Sequence, residues 1–246
     1  MVGGSSELLA PGSYPQLGAR TIESPNRFWA IPFVGFIAKA IILIPMFILF
    51  YLLSLAAGIL VLINGFVVFF TGEYWSPAYT LSLALMRVEV KIGFYMSGLT
   101  DRYPGFAIEI PPDELFSLDI GMPTSPSRGF AIPVLGGIAR AVLIIPFAIW
   151  AEIVASAAVL AVLVAWIPVL TAGRYPVTLF ELVRDGTRLY LSYLCYFAGL
   201  SDKYPSFTIS MNNPGIKVLF LVFGFITFIL YMFVNIGSST SSQGGR

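Results

Sequence analysis

Apolar side chains fill residues 28–70 almost without a break; in that run of 43 residues Lys39 is the one charge. As a single helix it would reach roughly 65 Å, about twice the ~30 Å hydrocarbon core of a bilayer. Two spans joined by a tight turn fit better, and we place them at 31–52 and 56–71, turning around Ala56-Ala57-Gly58. A second run gives spans at 131–152 and 156–172, and a last one follows at 216–235. Backbone groups in lipid must pair internally, so helices are expected throughout.

The pattern then changes. Residues 77–99 and 176–200 each open near a proline, Pro77 and Pro176, which suits a helix start. In the second, Glu181, Arg184, Asp185, Arg188 and Ser192 follow helical spacing along one side, with Leu182, Leu189 and Tyr193 opposite. Thr80, Arg87 and Lys91 mark the same stripe in the first. Charge at the bilayer centre is costly, so these amphipathic helices are expected to lie in the interface. The rival reading makes them true spans, three per copy, with one copy inverted.

The chain repeats itself at an offset of 101 residues. Arg27 aligns with Arg128, Gly35 with Gly136, Lys39 with Arg140, Pro45 with Pro146, and Gly72 and Tyr74 with Gly173 and Tyr175. The run Gly98-Leu99-Thr100-Asp101-Arg102-Tyr103-Pro104 aligns with Gly199-Leu200-Ser201-Asp202-Lys203-Tyr204-Pro205. A match kept in register over this length is the mark of internal duplication. The organisation is therefore a polar arm (1–27), a first repeat (28–110), a Pro-rich linker (111–127), a second repeat (128–210), and a terminal helix with a polar tail (211–246). Phe106–Ile110 and Phe207–Ser210 are expected to be short strands. The fold class is an all-α integral membrane protein of tandem duplicated helical hairpins. It has about five transmembrane helices, and each hairpin is followed by an interfacial helix and a short β-strand.

Composition agrees: 57% of residues are hydrophobic and 11% charged, too little polar coverage for a soluble surface. A net charge of +1 and the lack of a basic-aromatic strip argue against nucleic acid. With no histidine and one cysteine, Cys195, no histidine-based catalysis, metal site or disulfide framework is expected. No catalytic residue, metal or cofactor is assigned. Lys and Arg cluster outside the hairpin tips, so the positive-inside rule puts the N-terminus in the cytoplasm, the C-terminus outside, and the protein in the plasma membrane. The two copies would then run parallel about an axis along the membrane normal.

Ile-Pro opening each apolar run, then Thr-Gly-Glu-Tyr or Ala-Gly-Arg-Tyr-Pro, then an amphipathic helix ending in Leu-[Thr/Ser]-Asp-[Arg/Lys]-Tyr-Pro-x-Phe, resembles the bacterial family named domain of unknown function 4389 (DUF4389). The first copy departs from it, with Trp75 and Ser76 pushing proline to position 77. The resemblance implies membrane location and tandem copies, and no activity.

Six residues are candidates for lipid or partner contact. Lys39 and Arg140 could face each other across the pseudo-axis and bind a phosphate or carboxylate, or simply snorkel to headgroups. Arg87 and Arg188 could meet anionic lipid, or pair with Asp101 and Asp202. Those aspartates sit in Tyr-Pro turns that could dock a partner or merely end a helix. Glu152 is expected in solvent at a hairpin tip, and Cys195 in packing. The expected function is a non-catalytic accessory or scaffold subunit of a larger membrane complex, respiratory or photosynthetic, partnered by the bilayer and by other membrane subunits or further copies of itself. The alternative is a small transporter, channel or lipid-binding protein.

Overall fold

A computed structural model describes residues 14–31 and 33–241, with side chains up to residue 235. The first repeat carries α1 (Val34–Ile42), α2 (Ile44–Thr71) and α3 (Ser76–Met96); the second carries α4 (Leu135–Ala172) and α5 (Val177–Phe197); α6 (Pro214–Ser241) ends the described chain. A 3-10 turn precedes each long helix, at Arg27–Ala30 and Gly129–Ala131.

The expected hairpins do not form. The helix runs straight through Ala56-Ala57-Gly58, and α4 runs unbroken through 152–156. Alanine is the best helix former and a lone glycine costs only about 1 kcal/mol, so nothing in either run breaks a helix. Proline does interrupt the first copy. Pro45 falls in the first turn of α2, just after the break at Leu43, whereas Pro146 is absorbed inside α4. Among the described residues three helices, not five, are long and apolar enough to cross a membrane: Ile44–Thr71, Leu135–Ala172 and Pro214–Asn235. By length and composition this is the pattern of a multi-pass membrane protein. Glu152 accordingly sits on an exposed position well inside α4 rather than at a tip.

Each long helix stops at a glycine in the left-handed region, Gly72 (φ +79) and Gly173 (φ +64), whose N–H groups bond back to Val68 and Val169. The chain then doubles back. α3 lies antiparallel along α1 and α2, burying Val88, Ile92 and Tyr95 against Leu43 and Met46. α5 lies along α4, with Gly186 seated on Val154 and Ala158. The amphipathic helices thus form close to their predicted limits.

The expected strands at 106–110 and 207–210 are irregular chain. The sheet is built instead from β1 (Gln16–Ala19) in the N-terminal arm and β2 (Phe116–Asp119) in the linker, paired antiparallel. Residues 1–13 of the arm and the last residues of the tail lie outside the described part. Phe116 and Leu118 point inward onto α3 and α5, within the main core that also holds Met86, Phe94, Leu189 and Cys195. Gln16, Gly18, Ser117 and Asp119 point out.

The repeats are related by a pseudo-two-fold axis, but they do not run parallel. Arg128, which opens the second repeat, packs on Gly72 at the end of α2; Arg27, which opens the first, packs on Gly173 at the end of α4. The Tyr74 hydroxyl donates to the Ala198 carbonyl (3.0 Å), and Tyr175 covers Gly98 in the matching place. Each long helix therefore ends where the other begins, and the two run in opposite directions. The axis passes between residues that are each other's equivalents at the 101-residue offset: Leu17 faces Leu118 in the sheet, and Glu89 on α3 faces Tyr190 on α5. It is perpendicular to the long helices.

Candidate functional site

Lys39 and Arg140 are buried, at 2% and 6% exposure, and neither reaches outward. The C-terminal carbonyls of an α-helix lack intrahelical partners and carry partial negative charge. Lys39 Nζ donates to Tyr95 O at the end of α3 (2.8 Å) and lies over the rings of Trp29 and Tyr95. Arg140 Nη1 donates to Tyr196 O at the end of α5 (2.9 Å) and to Ser201 O (3.2 Å), while Nη2 is ion-paired with Asp202. Its guanidinium stacks on Phe130 and Tyr196. Because the copies are antiparallel, the two cations lie at opposite ends of the molecule and do not face each other across the axis.

The aspartates hold the repeat starts in place. Asp101 accepts from the Asn26 backbone N–H (2.5 Å), and Asp202 accepts from that of Ser127 (2.6 Å). The expected pairs Arg87–Asp101 and Arg188–Asp202 are absent. The arginines sit two or more turns before the helix ends and project sideways, and Arg188 Nη2 instead donates to Thr208 O (2.6 Å). Arg87 Nε is buried without a hydrogen bond.

The structure makes more of two acids that the polar stripe had already marked. Asp185 is fully buried and accepts from the Ser210 N–H (2.5 Å), the Ser210 hydroxyl and Arg184. Glu181 accepts from the backbone and side chain of Asn212 (3.1 and 2.8 Å). Together with Arg188 they bind the extended chain 208–212 along α5. Lys91 does the same on α3, donating to the carbonyls of Ala107 and Glu109. Two further polar groups had no signal in the sequence. Asn64 is buried inside α2 and accepts from the Trp75 N–H (2.7 Å). Glu89 sits half-buried at the axis beside Tyr190, with Oε2 unpaired; burial pushes its carboxyl up to about 7, against the opposing pull of the Tyr190 hydroxyl. Cys195 is buried with Sγ 3.7 Å from Met86 Sδ.

The duplication also produces one cleft twice. The first, about 360 Å³, lies between Trp29, Phe36, Lys39, Trp166 and Tyr175; its counterpart, about 500 Å³, lies between Asn64, Tyr74, Phe130 and Arg140. Each is apolar, closed on one side by the buried cation, and shared by both repeats. Among the described residues no group of acids and cysteine is placed to hold a metal ion.

A duplicated, mainly helical chain with long exposed apolar helices, whose buried lysines, Arg140, Glu181 and Asp185 are hydrogen-bonded within the molecule, defines a membrane protein built from two interlocked repeats. Residues 34–107 and 137–208 match the family described as Domain of unknown function (DUF4389), and the chain belongs to that family. No curated protein and no solved structure matches it.

Proposed function

We propose that this protein is a non-catalytic membrane subunit whose work is packing, a scaffold or accessory component of a larger membrane assembly. The observation that carries this reading is the contrast between its charges and its surface. The buried cations and acids are used up on helix ends and chain crossings within the molecule. The long helices meanwhile leave large side chains such as Phe47, Leu62, Phe70, Ile138 and Ile167 uncovered. Apolar surface of that extent marks lipid or protein contact. The same use of Lys39 and Arg140 weighs against a transporter, whose intramembrane charges would line a water-filled path. In this reading the N-terminus is cytoplasmic, and the exposed Arg27, Arg102, Arg128 and Lys203 meet the anionic headgroups of the plasma membrane. Purification from native membranes in mild detergent tests it: co-purification of defined membrane subunits is expected, and a stable monomer free of other protein would refute it.

The paired clefts favour a second reading, a lipid-binding protein. Each offers an apolar wall beside a cation, the chemistry of an acyl chain with an anionic headgroup. Native mass spectrometry separates the two readings by the mass of what is retained, lipid in place of polypeptide.

A further inference from the structure

We infer that the two repeats do not cross the bilayer but lie flat in one leaflet, with α1, α2 and α4 sunk into the acyl region as an apolar floor and the sheet side facing water. Length is the first reason. From Val34 to Thr71 and from Leu135 to Ala172 each copy holds a helical stretch of about 57 Å, against a hydrocarbon core of ~30 Å. Tilt absorbs a modest excess of length, not one this large.

The position of the polar chain is the second and stronger reason. The pseudo-two-fold axis is perpendicular to the long helices and passes through the Leu17–Leu118 pair, so the sheet stands midway between the two ends of the molecule. If the long helices spanned, the axis would lie in the membrane plane and the sheet would stand at the bilayer centre. Gln16, Ser117 and Asp119 would then face hydrocarbon, beside the open edges of a two-stranded sheet. Irregular backbone and sheet edges do not occur in contact with lipid. The same holds along the rest of that face. The exposed chain around Glu109 follows α3, and the chain at Thr208–Asn212, held by Asp185 and Glu181, follows α5. With the helices in plane the axis becomes the membrane normal, and all of this chain falls on one aqueous side.

The opposite side fits the acyl region along both long helices except at Glu152, the one exposed charge on α4. Ile48, Leu55, Ile59, Leu62, Phe66 and Phe70 are each half or more exposed along α2, and Val134, Ile138, Val142, Val159 and Ile167 along α4 and its N-cap. A membrane-crossing helix would need that surface only across its middle turns. The partner is therefore the acyl layer of a single leaflet. The inference is independent of what the protein assembles with.

Cysteine accessibility at equivalent points of the two repeats tests it. Ser24 and Ser125 are both exposed, 101 residues apart, and stand at opposite ends of the molecule beside the turns of Asp101 and Asp202. The native Cys195 is buried and gives the unlabelled background. Ser24→Cys and Ser125→Cys are labelled with a membrane-impermeant maleimide in intact cells, before and after permeabilisation. Equal before-to-after ratios at the two sites are expected, with Ser206→Cys agreeing as a third point. A ratio near one at Ser24→Cys and near zero at Ser125→Cys, or the reverse, would overturn the inference.

Discussion

Truncating Arg140 to alanine separates a structural clamp from a lipid-facing charge. The substitution leaves Tyr196 O and Ser201 O without the donors that now reach them at 2.9 and 3.2 Å, and leaves Asp202 without its cation. Hydrogen bonds to a charged group contribute about 1.5–3 kcal/mol, and breaking a buried ion pair from one side costs about 3–5 kcal/mol. These overlap, and Asp202 keeps 25% of its side-chain surface, so the expected loss is about 3–4 kcal/mol. Arg140→Lys should cost less, about 1–2 kcal/mol, because Lys39 shows that an ammonium fits the equivalent place with one bond to Tyr95 O. Adding Asp202→Asn to Arg140→Ala should restore part of the loss by removing the stranded charge. Unfolding in mixed detergent micelles on titration with SDS, followed by tryptophan fluorescence, reads all three. If Arg140→Ala and Arg140→Lys unfold together and close to wild type, Arg140 does not clamp α5.

Three other outcomes follow. Asp185→Ala should release the chain at Ser210 and speed hydrogen exchange there, with a stability loss of about 3 kcal/mol or more, since a fully buried acceptor vacates the Ser210 N–H, the Ser210 hydroxyl and Arg184; unchanged exchange at residues 208–212 would contradict this. Gly224→Ala places a Cβ 2.6 Å from Ile153 O and 2.9 Å from Ala157 N, both backbone, so α6 should shift off α4 and the protein lose about 1–3 kcal/mol; a cross-link between the two helices that forms as readily as before would refute it. Glu89 faces Tyr190 on α5, which also feels Glu152 on α4. With its folded pKa raised to about 7 from 4.5, the native state holds the extra proton between those values, so stability falls as pH rises from about 4.5 to 7. Glu89→Gln should flatten that part of the pH–stability curve, and an unaltered slope would show that Glu89 is not its source.

Much of this architecture was legible in the sequence because it is local or periodic. The 101-residue repeat follows from aligned residues, and the stripe of Glu181, Asp185 and Arg188 fixes α5 within a few positions. The apolar runs gave helices but not their course. The expected turn at Ala56-Ala57-Gly58 follows from fitting each run to the ~30 Å core, and those residues have no chemistry to make it. The β1–β2 pairing joins segments about 100 residues apart, and short runs such as Gln-Leu-Gly-Ala carry no alternation strong enough to announce it. Side-chain direction decided the candidate site. Lys39 and Arg140 aligned correctly, yet their partners are carbonyls at the ends of α3 and α5, and a backbone acceptor leaves no trace in the residue types around it. The axis was expected along the membrane normal between parallel hairpins. The structure keeps a two-fold axis and turns the long helices perpendicular to it.

The depth of the long helix in the bilayer tests the central claim most directly. Nitroxides at Phe36, Ile48, Ile59 and Phe70, all outward-facing, sample its course from end to end. Their relative accessibility to oxygen and to a water-soluble nickel complex reports depth in reconstituted bilayers. A helix lying in one leaflet predicts the same shallow depth at all four positions. A profile that is deep at Ile48 and Ile59 and shallow at Phe36 and Phe70 would mean that the helix crosses the membrane.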